Sequence, residues 1–139
     1  MPITGFTISS VEGKIESADS LSKQRFPKLN INLDSVSPEG NKIKVNYSFI
    51  ADYFDGDGKD AKSVGRLKLG GTVEISETKE AAQAIMKRWG EKKTLPVDVA
   101  EEIINGLNFR CSATGTLVAY ALGLIPPLVI STTRIEEQK

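Results

Sequence analysis

Few stretches of this chain carry residue types that could do chemistry. The acidic turn Asp52-Tyr53-Phe54-Asp55-Gly56-Asp57-Gly58-Lys59-Asp60 has the alternating carboxylates of a calcium loop. Counted from Asp55, however, Lys59 takes the fifth loop position and Arg66 the twelfth, where an oxygen ligand and a bidentate Glu are needed. Asp-Gly pairs are leading hairpin signals, so the stretch reads as a solvated hairpin turn. Gly70-Gly71 is not followed by Lys-Ser or Lys-Thr, so it is no phosphate loop and instead implies a bulge or a close backbone approach. The single cysteine, Cys111, falls on an apolar helical stripe and reads as a small core residue. Glu101 and Glu102 sit at a helix start, where negative charge is favoured without any catalytic role. The sequence contains no histidine, which removes the commonest general base and the commonest metal ligand together. No catalytic constellation, metal site or cofactor motif emerges, and an enzyme is not expected.

The elements around these residues divide into two halves. Phe6 and Ile8 share one face of a first strand that extends past Val11 toward Ile15, with Gly13 as a bulge position. Leu29, Ile31 and Leu33 alternate with Asn30 and Asn32. Ile43, Val45, Tyr47, Phe49, Ala51 and Tyr53 alternate with polar residues, as do Leu67, Leu69, Val73 and Ile75. This period of two, with one apolar and one wet face, predicts four antiparallel strands. Ser37-Pro38-Glu39-Gly40-Asn41 and the acidic turn supply the breaks, and residues 18–27 form a longer link. The second half turns helical. Ala82, Ile85, Met86 and Trp89 make one stripe, with Gly90 as the stop. A second helix over 97–122 starts at Pro96 or Asp98, on a stripe of Val99, Ile103, Ile104, Leu107, Cys111, Thr114, Leu117, Val118, Ala121 and Leu122. Gly106 and Gly115 interrupt it, either as close-contact points or as tolerated surface glycines. The apolar segment Leu124-Ile125-Pro126-Pro127-Leu128-Val129-Ile130 follows as an extended arm, and residues 136–139 as a polar, frayed tail. Strands first and helices after is the α+β pattern, in one domain over residues 1–139.

Composition narrows the function classes. Eighteen basic and eighteen acidic residues give a net charge of zero. That argues against binding nucleic acid through a broad basic face and leaves little repulsion between copies, so a chain that assembles with itself, a homo-oligomer, is expected. One cysteine permits no internal disulfide and fits a reducing compartment. The first ten residues lack a basic start followed by an apolar block, and residues 117–130 are too short and broken to span a bilayer. A cytoplasmic location without membrane insertion is expected.

Three stretches carry a family resemblance. Lys28-Leu29-Asn30-Ile31-Asn32-Leu33-Asp34, Ile43-Lys44-Val45-Asn46-Tyr47-Ser48-Phe49 and Arg66-Leu67-Lys68-Leu69-Gly70-Gly71-Thr72-Val73-Glu74-Ile75 resemble the sheet of the export chaperone SecB. Glu102-Ile103-Ile104 and Ile125-Pro126-Pro127-Leu128-Val129-Ile130 are similar to the family's paired isoleucines and its Pro-Pro-Leu segment. The likeness runs over about residues 5–130 and rests on order and spacing. It implies a four-stranded antiparallel sheet with a long helix, a tetramer built as a dimer of dimers, and ATP-independent holding of unfolded or extended polypeptides. Two departures argue against docking to the SecA motor and an export role. The charge is zero where the family is acidic, and Arg66 stands at a family acidic position. Ser131-Thr132 replace the family's Asn-Phe.

A holdase needs apolar surface that a folded monomer otherwise avoids. Phe26, Phe49, Phe54, Trp89, Tyr120, Leu124, Ile125 and Leu128 are the candidate peptide-binding residues. An edge strand adds the option of β-augmentation. The alternatives are an interaction module for one dedicated partner, such as an antitoxin, and a small-ligand carrier or enzyme using a cavity between sheet and helix.

Overall fold

The structure is a computed structural model and describes residues 3–128. Residues 129–139, which include Val129 and Ile130 of the arm, Ser131-Thr132 and the polar tail, lie outside the described residues. Four strands and two helices follow in order: β1 (Ile3–Ile15), β2 (Lys28–Glu39), β3 (Lys42–Phe54), β4 (Ser63–Ser76), α1 (Lys79–Lys92) and α2 (Val97–Leu122). A short 3-10 turn, Ala18–Lys23, lies in the β1–β2 link. The strands form one antiparallel sheet in the order β1-β4-β3-β2, and the helices follow it, giving an α+β fold.

Strand alternation decides which face is covered. Ile43, Val45, Tyr47, Phe49, Ala51 and Tyr53 of β3 and Leu67, Leu69, Val73 and Ile75 of β4 are buried. Their polar neighbours Lys44, Asn46, Asp52, Arg66 and Lys68 point to the open face. Leu29, Ile31 and Leu33 of β2 pack against the edge of this core, as does Phe6 of β1. The β2–β3 turn is tighter than the Ser37–Asn41 break implies. Both strands run on to Glu39 and Lys42, and Gly40 takes a positive φ of 64° between them. Pro38 is tolerated because β2 is an edge strand, where a missing N–H costs no ladder bond.

The β1–β2 link must carry the chain from one sheet edge to the other. It crosses the ends of β4 and β3, held by Glu16 N–H to Val64 O (2.8 Å) and Arg25 N–H to Phe54 O (2.8 Å). In β1 the register slips between Ile8 and Ser10, opposite Gly71 and Gly70, and not at Gly13. A Cβ on Gly71 would strike the Thr7 carbonyl, so the glycine pair permits a close backbone approach. Gly13 serves a different contact. A Cβ there would lie 2.6 Å from Leu122 and 3.1 Å from Val118, so α2 lies directly on the strand.

Both helices depart from the expected details for local reasons. α1 runs through Gly90 and stops at Lys93, which takes the left-handed conformation (φ 53°) and donates its N–H to Trp89 O at 2.9 Å. At its start Thr78 accepts from Ala81 N–H, the usual N-cap bond. α2 is unbroken over its 26 residues, about 39 Å. Its end is a Schellman motif: Leu124 N–H bonds Ala119 O (2.9 Å) and Gly123 N–H bonds Tyr120 O (3.3 Å), with Gly123 at φ 75°. The buried line is Val99, Ile103, Leu107, Cys111, Ser112, Gly115 and Ala119. Leu117 and Ala121, expected on it, face solvent instead. The spacing of four residues replaces the broader stripe because Gly106 and Gly115 admit neighbours where side chains would block them. A Cβ on Gly106 would sit 2.5 Å from the Phe6 ring, and one on Gly115 would sit 2.9 Å from Pro127.

Gly106→Ala is expected to destabilise the fold by about 1–2 kcal/mol, overpacking at Phe6 outweighing the gain in helix propensity. Ser112 has a buried hydroxyl without a hydrogen-bond partner among the described residues, so Ser112→Ala is expected to stabilise by about 1 kcal/mol. Urea unfolding of both variants checks the opposite signs.

Candidate functional site

One end of the molecule collects residues from every part of the chain. The crossover link arrives there, β3 ends, β4 begins and α2 gives way to the arm. Gln24, in the link, ties these together. Its Nε2 donates to Gly123 O and to Leu21 O, both at 2.9 Å, and its Oε1 accepts from Ile125 N–H at 2.7 Å. The Tyr53 hydroxyl donates to Ile125 O at 2.6 Å. Pro127 is fully buried, against Gly115 of α2. The arm therefore folds back along the helix that precedes it.

The structure sorts the eight candidate residues into three groups. Phe26, Tyr120 and Leu128 are exposed, Tyr120 at 84%. Phe54, Trp89 and Ile125 are half-buried. The Phe54 ring lies beneath Lys28 at 5.1 Å and the Trp89 ring beneath Lys93 at 5.8 Å. Phe49 and Leu124 are buried in the core and leave the candidate set. Phe49 alternates on the covered face of β3, and Leu124 is drawn in by the Schellman turn. Phe26, Phe54, Ile125 and Tyr120 all belong to the elements that meet at this end, joined through the Arg25–Phe54 and Gln24–Ile125 bonds. Trp89 belongs to α1, on the β2 side of the sheet.

Three exposed apolar residues were not among the sequence candidates: Val11 of β1 and two on α2. Phe109 is 77% exposed and Leu117 is 74% exposed, both on the outer side of α2. With Ala113 and Tyr120 they form an open apolar stripe at spacings of four, four and three. A helix apolar all round is normally covered on all sides, and that signal was readable in the sequence. Phe109 and Ala113 also line a groove of about 480 Å³ with Phe6, Ile8, Arg110 and Thr114. Arg110 stacks over the Phe6 ring at 4.5 Å. The groove adjoins the free edge of β1, whose residues 3–11 carry no charge. A second groove, of about 580 Å³, lies between α1 and the β2–β3 turn, over Pro38, Ala82 and Met86.

The remaining chemistry-bearing residues are structural. The acidic turn closes on itself: Asp55 N–H bonds Lys62 O, and Asp55 Oδ1 accepts from Lys62 N–H at 2.8 Å. Arg66 pairs with Asp52 directly across the open sheet face, Nε to Oδ1 at 2.6 Å. Burial pushes the Cys111 thiol up to about 11. Burial also raises the Tyr47 and Tyr53 hydroxyls above their ordinary value. Tyr47 donates to Thr7 O at 3.0 Å. None of these three lines either groove. No family model matches the chain, and no curated protein matches it.

Cys111 and the two tyrosines are neutral when folded, with pKa values above those of the unfolded chain. Their contribution is fully present below the unfolded values and is lost as pH rises. Stability is thus expected to hold to about pH 9 and then to fall, with Cys111 alone accounting for about 2 kcal/mol by pH 11. Chemical denaturation across that range, with Cys111→Ala flattening part of the decline, checks this.

Proposed function

We propose that this chain is an ATP-independent polypeptide-binding protein of the SecB-like kind, which holds unfolded or extended segments of other proteins. The observation that carries the reading is the apolar stripe of α2, Phe109, Leu117 and Tyr120, left open beside a completed core, with Leu128 of the arm exposed as well. Scattered surface apolar residues are ordinary, but a contiguous row is the mark of a binding surface. Leu117, Tyr120, Leu128 and Phe26 offer the client apolar contact without demanding a sequence. No nucleotide motif accompanies them, so capture and release depend on affinity alone.

The order of strands and the exposed groove support a homo-oligomer as part of the same reading. β1 is a long edge strand whose residues 3–11 carry no charge, the type that proteins cover or pair. Antiparallel pairing of two β1 edges about a two-fold axis is self-complementary, and it would bring the Phe6–Phe109 grooves of two copies together. The Leu117–Leu128 region would remain open for clients. The zero net charge offers no opposing repulsion.

The decisive assay mixes the folded chain with a chemically unfolded, unrelated protein in the absence of nucleotide. Suppression of aggregation near stoichiometric ratios is expected. Leu117→Asp with Tyr120→Asp should weaken capture at least about tenfold, since each residue withdraws about 1.5–3 kcal/mol of apolar burial, with little change in the chain's own unfolding. Phe109→Asp should shift the sedimenting species toward monomer. A folded chain that protects no unrelated client would replace the holdase reading with that of a module for one dedicated partner.

A further inference from the structure

The arm after α2 is bound to the rest of the chain as a cleft binds a peptide. Its described part, residues 123–128, lies outside the sheet and is fixed through its main chain. Gly123 O, Ile125 N–H and Ile125 O are all bonded, by Gln24 and Tyr53. The two bonds at Ile125 read the main chain beyond the helix-ending turn and accept many side chains. Leu124 and Pro127 turn inward while Pro126 and Leu128 face outward. The receiving groups come from separate elements: Gln24 from the crossover link, Tyr53 from β3 and Gly115 from α2. Leu124 is already locked by the helix-ending turn, so the three polar contacts at Gly123 and Ile125 are more than anchoring of the arm requires.

We propose that the slot formed by Gln24, Tyr53 and Gly115 is a binding site for extended, apolar, proline-containing polypeptide segments, and that the arm is its resident occupant. The inference rests on the polypeptide-binding reading and adds an internal competitor to it. A tethered segment acts at an effective concentration in the millimolar range. An outside segment therefore binds weakly until the arm lifts, and its apparent affinity is scaled by the fraction of chains whose slot is free. Lifting the arm also frees Ile125, adding apolar surface at this end of the molecule.

The test separates changes in the arm from changes in the slot. Ile125→Pro removes the arm N–H that bonds Gln24, and Pro127→Gly removes the side chain seated at Gly115. Neither touches the receiving groups. The probe is a fluorescently labelled peptide of sequence Gly-Leu-Ile-Pro-Pro-Leu-Val, followed by anisotropy on the full chain. The double arm variant should bind it at least about fivefold tighter than the parent, and adding Gln24→Ala should abolish the gain. Limited proteolysis reports whether the arm has lifted. An arm cut faster with no tighter peptide binding overturns the proposal. So does an arm still protected in the double variant, which would be a fixed part of the core. Peptide exchange without suppression of aggregation would remove the holdase reading and keep the slot. Suppression untouched by the peptide would do the reverse.

Discussion

The fold depends on how closely α2 can lie on β1. Two glycines, one on each element, set that distance. Gly106 of the helix receives the Phe6 ring, and Gly13 of the strand receives Val118 and Leu122. Helix and strand thus run alongside each other from one end of the sheet to the other. A methyl group at Gly106 would meet the Phe6 ring, and one at Gly13 the ends of Leu122 and Val118, so the side-chain packing between β1 and the helix would have to shift. Because the contact is fixed at both ends, the helix cannot roll to bury its second apolar side. Phe109, Leu117 and Tyr120 stay in water as a result of tight packing elsewhere.

The sheet was legible in the sequence because burial of one face imposes a period of two, which Ile43, Val45, Tyr47, Phe49, Ala51 and Tyr53 of β3 and Leu67, Leu69, Val73 and Ile75 of β4 follow; in β2 it breaks after Leu33, where the register shifts before Val36. The helices were legible as elements but less so at their ends. Gly90 looked like a stop because glycine favours the left-handed cap, yet Lys93 took that conformation, one turn beyond. Leu117 looked buried because the helical stripe was drawn through the large apolar residues, with Thr114 the one polar residue on it. The true buried line passes through Ser112 and Gly115, two residues that carry little hydrophobic signal and matter for their small size. The arm's anchors were invisible for a similar reason. Gln24 and Tyr53 contact residues about a hundred and about seventy positions away, a separation that no local pattern encodes. Phe49 was a candidate from its residue type, and its place in the alternation marked it as core.

The open face of the sheet is chemically unlike the covered one. At one end, Lys14, Arg66, Asp52 and Lys28 lie in register across all four strands. Only the Arg66–Asp52 pair is in close contact, and being largely exposed it contributes little to stability. Small polar residues fill the middle, with Gly70 and Ser48 opposite each other. Such a face is well hydrated. The exposed apolar surface is thereby concentrated on the helix side, which carries the α2 stripe and the Phe6–Phe109 groove.

The strand order has a consequence for how the chain is made. β2, β3 and β4 are neighbours in sequence and can zip together as soon as they emerge, each closing a short turn. β1 is synthesised first but pairs with β4, so it must wait, unpaired and largely apolar, for some sixty residues to follow. Closing a loop of that length costs about 4 kcal/mol of chain entropy, which the β1–β4 ladder alone must first overcome. α2 appears later still, and only then is Phe6 covered. During this interval the nascent chain displays the kind of extended apolar segment that the finished molecule is proposed to hold. If the proposed function holds, this segment of a newly made copy is the first that a finished copy meets.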